Sequence, residues 1–187
     1  MALETEIKFK GADFDRVRTI LLALSAERKG RWMERNLVFD DADRSLRRKG
    51  VLLRLRQDRN SVLTLKQPPA EEQEDVKVFH EHETIVQDFE AMRAILGGLG
   101  YTVAFRYEKV REEWAAGEVH VCLDEMPFGQ FVELEGERVA ILALARELGL
   151  SLDTSTTATY HALNQAWREE EGLAPDENFV FESPPDV

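Results

Sequence analysis

Cysteine occurs once in these 187 residues, at Cys122, which excludes an intramolecular disulfide framework and a cysteine-rich zinc site. Long apolar runs are missing too. Uncharged apolar runs such as residues 19–26 fall far short of the roughly 20 residues a membrane helix needs. Positive charge is in the minority: Lys and Arg number 24 against 36 Asp and Glu, a net charge of −12. That balance does not suit a non-specific nucleic-acid binder, whose affinity rests on neutralising phosphates. The start of the chain carries Glu4 and Glu6 where a signal peptide would be basic and then apolar. No Gly-x-x-x-x-Gly-Lys-Ser/Thr sequence occurs, so phosphate binding here has to rely on side chains. What remains is a soluble, acidic, cytoplasmic protein with neither a membrane nor a nucleic-acid partner. Its 43% apolar residues suffice for a real core.

The charge is unevenly placed. Residues 168–187 hold seven acids, one base and three prolines, and residues 44–66 hold eight of the 24 bases and one acid. The expected organisation is one domain over residues 1–167 and an acidic, proline-containing tail over 168–187. The tail could screen a binding site or dock through Phe179, Val180 and Phe181, with plain disorder the leading reading. For the bases of residues 44–49 the leading reading is a solvated face.

Period-two alternation marks strands at residues 3–10, 37–39, 51–57, 61–67 and 75–86, then at 102–107, 109–114, 118–123 and 130–135. Helical spacing of apolar residues marks 13–27, with Asp13 a plausible N-cap, and also 88–99, 137–148 and 157–171. The segment Asp13-Phe14-Asp15-x-x-Arg18-x-Ile20-Leu21 recurs 75 residues later as Asp88-Phe89-Glu90-x-x-Arg93-x-Ile95-Leu96. Each copy follows a Glu-x-Glu strand, which suggests two related halves of about four strands. Two such halves lead to an α+β fold: a closed eight-stranded antiparallel β-barrel with flanking helices.

Five like-signed pairs sit two apart on these strands: Glu4/Glu6, Arg54/Arg56, Glu81/Glu83, Lys109/Arg111 and Glu133/Glu135. Residues two apart on a strand share a face. Same-face like charges repel, so a merely soluble surface would mix signs. Charges gathered inside a closed sheet must be paired or bound to ions. Carboxylates are hard ligands for Mg²⁺ or Mn²⁺, and Arg and Lys suit phosphate oxygens. Together they fit a polyphosphate with its metal ions.

The ordered set resembles the CYTH family, named for the CyaB-type (class IV) adenylyl cyclases and the thiamine triphosphatases and also called the triphosphate tunnel metalloenzymes. The resemblance rests on Glu4-x-Glu6-x-Lys8, Leu53-Arg54-Leu55-Arg56, Thr64-Leu65-Lys66 and Glu81-x-Glu83. It continues through Lys109-x-Arg111, Leu123-Asp124, the run from Phe128 to Glu135, and Tyr160-x-x-Leu163. It implies that Lys8, Arg54, Arg56, Lys66, Lys109 and Arg111 grip a small-molecule triphosphate. It also implies that Glu4, Glu6, Glu133 and Glu135 hold Mg²⁺ or Mn²⁺, assisted by Glu81, Glu83 and Asp124, with Lys8 and Glu133 catalytic.

The activity implied is a metal-dependent triphosphatase acting on inorganic or nucleoside triphosphate. The alternatives are a class IV adenylyl cyclase making cyclic AMP and pyrophosphate from ATP, and a non-catalytic polyphosphate- or nucleotide-binding module. The assembly expected, if any forms, is a homodimer. Two departures stand out. Phe79-His80 occupies a place where the family often has arginine, with Lys77 the nearest base. The 32–37 region offers no tyrosine, which speaks against a Lys–Tyr catalytic pair.

Among the remaining residues, His80 and His82 are expected to face away from Glu81 and Glu83. His120, His161 and the three tryptophans are expected in structural roles, and Cys122 as a packed thiol.

Overall fold

The computed structural model describes residues 2–69, 77–183 and 185, with backbone alone for residues 2–4 and 77–78. The side chains of Glu4 and Lys77, residues 75–76 of one expected strand, and 184, 186 and 187 of the tail therefore lie outside the described residues.

In chain order the elements are β1 (Ala2–Lys10), α1 (Phe14–Ala23), β2 (Glu27–Asp40), α2 (Ser45–Arg48), β3 (Leu52–Gln57), β4 (Ser61–Gln67) and β5 (Lys77–Val86). There follow α3 (Phe89–Gly98), β6 (Thr102–Ala116), β7 (Val119–Met126), β8 (Gly129–Glu135), α4 (Arg138–Glu147), β9 (Ser155–Thr156) and α5 (Tyr160–Glu170). Asp13 caps α1 as expected, its carboxylate accepting from the Asp15 and Arg16 amides. Asp88, Glu137 and Thr159 do the same for α3, α4 and α5. Among the described residues no helix is long and apolar enough to cross a membrane.

The expected closed eight-stranded barrel is corrected. The strands form a single nine-stranded antiparallel sheet in the order β5-β4-β3-β2-β6-β7-β8-β1-β9. The reason lies on one edge of β1. Its residues 6–10 pair with β8 on the other edge. Along the divided edge, residues 2–6 run against β5, but Lys8 and Phe9 take Thr156 and Ser155 of β9 instead. The sheet is therefore strongly curled rather than a complete ring of eight, and with helices on its outside the class is α+β.

Two of the expected strands, 102–107 and 109–114, are one continuous β6. The expected short strand at 37–39 is the end of a 14-residue β2. β2 and β6 pair along nearly their whole length, with register shifts at Arg28/Gly30 and Val38/Phe39.

The polarity of the sheet is inverted relative to a protein whose strands bury their apolar face internally. The outer apolar face packs under helices. Ile7, Phe9, Val121, Leu123, Val132 and Leu134 meet Phe14, Val17 and Leu21 of α1 and Ile141, Leu144 and Ala145 of α4. Phe39, Leu53 and Leu55 meet Leu96 of α3. Each fully buried Leu, Ile or Phe contributes about 1.5–3 kcal/mol. With the hydrocarbon spent outside, the alternate residues of the same strands turn their charges to the inner face.

Candidate functional site

The inner face encloses a cavity of about 400 Å³. That volume lies within the roughly 300–1,000 Å³ of small-molecule sites. All six bases expected to grip phosphate line it: Lys8, Arg54, Arg56, Lys66, Lys109 and Arg111. So do Glu6, Glu81, Glu83, Glu133 and Glu135. Asp124 lies beneath Lys109 and Arg111, fully buried, and Glu4 is placed by its backbone alone, opposite Phe79.

Strand register explains the convergence. Lys8 lies across from Glu133 on β8, and its Nζ is 2.8 Å from Glu133 Oε1 and 2.7 Å from Glu6 Oε1. Burial by itself would discharge this ammonium. Glu133 and Glu6 outweigh that and raise its pKa, so Lys8 stays cationic. For Glu133 the balance runs the other way: burial pushes the carboxyl up, but Lys8, Arg111 and Lys109 bring it well below the ordinary carboxylate range. Glu6 is lowered by Lys8 in the same way.

Arg111 forks onto Asp124, Nε to Oδ1 at 2.8 Å and Nη2 to Oδ2 at 2.7 Å, and also ion-pairs with Glu133. Lys109 donates to Asp124 at 2.9 Å, and so does the Tyr160 hydroxyl at the N-terminal end of α5. Both Lys8 and Lys109 stand over the Tyr160 ring, 5.3 and 5.5 Å from its centroid. Arg54 reaches the Tyr107 hydroxyl at 3.2 Å, Thr64 at 3.3 Å and Glu83 at 3.5 Å, and Lys66 lies 3.4 Å from Glu81. Arg56 pairs with Asp58 at 2.9 Å.

Ligand atoms of Glu133, Glu135 and Cys122 lie within 4.8 Å of one another. Burial, joined by Glu135, Asp124 and Glu133, pushes the Cys122 thiol well above its ordinary pKa. A neutral thiol leaves the carboxylate oxygens as the donors, a set that fits a hard divalent ion such as Mg²⁺ or Mn²⁺. Cys122 is buried as expected, though across the β7–β8 pair from Glu133 rather than in a wholly apolar setting.

Sequence reasoning missed two residues on β2. Glu34 and Asn36 are each 1% exposed, with Glu34 Oε2 3.5 Å from Lys109 Nζ and Oε1 4.0 Å from Arg111 Nε. The alternation Trp32-x-Glu34-x-Asn36-x-Val38 was the available signal. It was hidden because the four inward residues share no chemical type.

The expectation of a solvated face for residues 44–49 holds for Arg47, Arg48 and Lys49, which are exposed, and is corrected at the half-buried Arg44; Arg44 and Arg47 both border the cavity. Within the described part of the tail the expectation of disorder gives way to the alternative of docking at Phe179, which is buried and stacked on Tyr107, with ring centroids 4.9 Å apart. His161 also lines the mouth, against Phe105. The tryptophans pack as expected. Trp114 is buried in the outer core, Trp167 lies against Phe128, and Trp32 sits under the Arg59 guanidinium, 3.9 Å from the ring centroid.

Comparison with known proteins agrees with the fold. A protein of Methanocaldococcus jannaschii, named as a candidate adenylate cyclase, is 30% identical over 135 residues, which is 71% of this chain and 76% of that one. A solved structure from Vibrio parahaemolyticus, also named as a candidate adenylate cyclase, has a TM-score of 0.78 at 22% identity, covering 87% of this chain and 97% of that one. A structure from Hippeastrum, named as a candidate adenylyl cyclase with a dominant triphosphatase activity, has a TM-score of 0.65 at 20% identity, covering 95% and 99%. At those identities the two structures speak for the fold alone. The CYTH domain itself matches residues 2–160, and on that match the chain belongs to the CYTH domain family.

Proposed function

We propose that this protein is a divalent-metal-dependent phosphohydrolase that cleaves a triphosphate, inorganic or nucleoside, in the cavity on the inner face of its sheet. The observation that carries the reading is the convergence of six bases and five carboxylates on one cavity. That density of both signs suits a polyanion and its counter-cation, and suits little else. The triphosphatase activity named for the Hippeastrum protein supports hydrolysis.

In this reading Arg54, Arg56, Lys66, Lys109 and Arg111 hold the phosphate chain extended, and Lys8 holds the phosphoryl group under attack. Their work is positioning and charge stabilisation. Lys8, whose pKa Glu133 and Glu6 raise, acts as a fixed positive charge beside the reacting group. Glu6, Glu133 and Glu135, with Glu4 and assistance from Glu81, Glu83 and Asp124, would hold the divalent ion. When bound, that ion supplies Lewis acidity at the phosphoryl oxygens. Asp124 and Tyr160 keep Lys109 and Arg111 in place from below.

A second reading is cyclisation of ATP. It is favoured by the aromatic wall of Phe105, Tyr107 and Phe179 at the mouth, which would suit a purine, and by the names of the relatives.

Incubation with inorganic triphosphate and, separately, ATP, in Mg²⁺ and then Mn²⁺, separates the readings when products are resolved chromatographically. Orthophosphate without cyclic AMP is expected. Lys8→Ala and Glu133→Gln should each lower the rate at least about tenfold with the fold intact. Cyclic AMP and pyrophosphate in equal amounts would establish the cyclase. Tight binding without turnover would leave a binding module.

A further inference from the structure

At the mouth of the cavity a carboxylate is already bound. Glu177, from the segment after α5, places Oε2 2.7 Å from Arg44 Nη2 and pairs through Oε1 with Arg47. His161 Nε2, on α5, lies 3.3 Å from the same Oε1. Arg44, Arg47 and His161 all line the cavity that holds the six interior bases. Although burial works against it, the Arg47 hydrogen bond and the charges of Arg44 and Arg47 keep the Glu177 carboxyl below its ordinary pKa.

The two arginines are aimed by a rigid loop. Asp40, buried, accepts from the Asp41, Leu46 and Arg47 amides, and Asp41 accepts from those of Asp43 and Ser45. Arg44 itself adopts a left-handed backbone, φ 55°, which a non-glycine residue enters at a cost.

The C-terminal segment is held by contacts other than those of Glu177. The Phe179 amide donates to Arg106 O at 3.2 Å, and Phe179 O accepts from the Glu108 amide at 3.0 Å. Asp176 O accepts from Asn164 and Gln165, and the Asn178 side chain accepts from the Arg106 amide. The ring of Phe179 supplies the burial. A segment held this well leaves its glutamate side chain able to swing while the backbone stays.

We infer that Arg44 and Arg47 form an outer oxyanion subsite, continuous with the interior bases, that takes the phosphate beyond the third of a linear polyphosphate, and that Glu177 is a built-in competitor for it. The inference rests on the triphosphate reading of the interior. A carboxylate is the side chain closest in charge and shape to a phosphate oxygen pair, and Arg binds both through its fork. Glu177 is thereby a specificity determinant: it favours chains that end before the mouth and disfavours longer ones, which must displace it.

Calorimetric titration of the full chain in EDTA, where the metal-dependent step is stopped, tests this with inorganic triphosphate and linear tetraphosphate as probes. Glu177→Gln is expected to tighten tetraphosphate binding about tenfold or more, and triphosphate binding less than about threefold. Arg47→Gln is expected to weaken tetraphosphate binding, and in the Glu177→Gln background to abolish the gain. The opposite signs matter. If the contact only fastens the tail, the two variants loosen the same ion pair and move both affinities in the same direction, which would overturn the inference. Should Glu177→Gln fail to fold, Arg47→Gln decides alone: unchanged tetraphosphate affinity refutes the subsite. No binding of either probe to the unmodified protein, in EDTA and again with Mg²⁺ present, would instead refute the triphosphate reading, and the subsite with it.

Discussion

Glu34 offers the sharpest test of how the charged interior is balanced. It is 1% exposed on β2, with Lys109 at 3.5 Å and Arg111 at 4.0 Å. Burial alone would raise its pKa, yet Lys109, Arg111, Arg56 and Arg54 bring it from 4.5 down to about 2. A carboxyl so depressed in the folded state contributes about 3 kcal/mol of stability at neutral pH. Because the folded pKa is the lower one, that contribution is complete above about pH 4.5 and is lost as the pH falls toward 2. Glu34→Gln keeps the shape and removes the charge, leaving Lys109 and Arg111 to Asp124 and Glu133.

Thermal melts at pH 7 should then show Tm lower by roughly 6–12 °C, at about 2–4 °C per kcal/mol for a chain of this size. The gap between variant and parent should narrow as the buffer is taken from about pH 5 downward. A variant as stable as the parent at pH 7 would mean that desolvating the carboxylate costs as much as its partners return, as happens for some buried pairs. A gap that does not change with pH would mean that packing, not charge, is what the glutamine loses.

Phe179→Ala should cost about 3–5 kcal/mol, as for other buried phenylalanines, and should release the C-terminal segment. Hydrogen exchange reads this at one place, because the Glu108 amide donates to Phe179 O and should lose protection while core amides keep theirs. Cys122 should react with a thiol reagent only as fast as the protein opens, since it is buried and its pKa is raised well above the ordinary value. Prompt labelling in native buffer would contradict that burial.

The strands that carry like-signed pairs were legible because charge alternating with Leu, Val or Phe is a strong period-two signal, and one residue of slip would bury the wrong set. The bases and carboxylates that meet in the cavity could be picked out for the same reason. β2 was not legible along its length, since Trp32, Glu34, Asn36 and Val38 face inward with four different chemistries. The closed ring of eight was an extrapolation from strand count. Period-two reading carries no information about which edge a strand shares, so the division of one β1 edge between β5 and the two-residue β9 was out of reach. The pairing of Arg44 and Arg47 was not legible because their partner, Glu177, lies more than a hundred residues away.

The pairing inside the cavity implies that phosphate and cation cannot bind independently. Lys8 is shared by Glu6 and Glu133, Arg111 by Asp124 and Glu133, Lys66 lies on Glu81 and Arg54 on Glu83. A triphosphate that recruits these bases draws them from their carboxylates, and an unpaired carboxylate in a buried space is costly. Conversely, Glu6 and Glu133 cannot turn to a divalent ion while they neutralise Lys8.

Each ligand thus frees the groups the other needs, and the coupling is reciprocal by necessity. Triphosphate should bind at least about fivefold more tightly in Mg²⁺ than in EDTA after allowance for chelation in solution, and Mg²⁺ affinity should rise by the same factor when triphosphate is present. Glu133→Gln should reduce the coupling, because Glu133 is the carboxylate both Lys8 and Arg111 must leave. Additive binding in the unmodified protein would show that the bases keep their carboxylates when phosphate arrives, and partner exchange would then not be how this interior accommodates a polyanion.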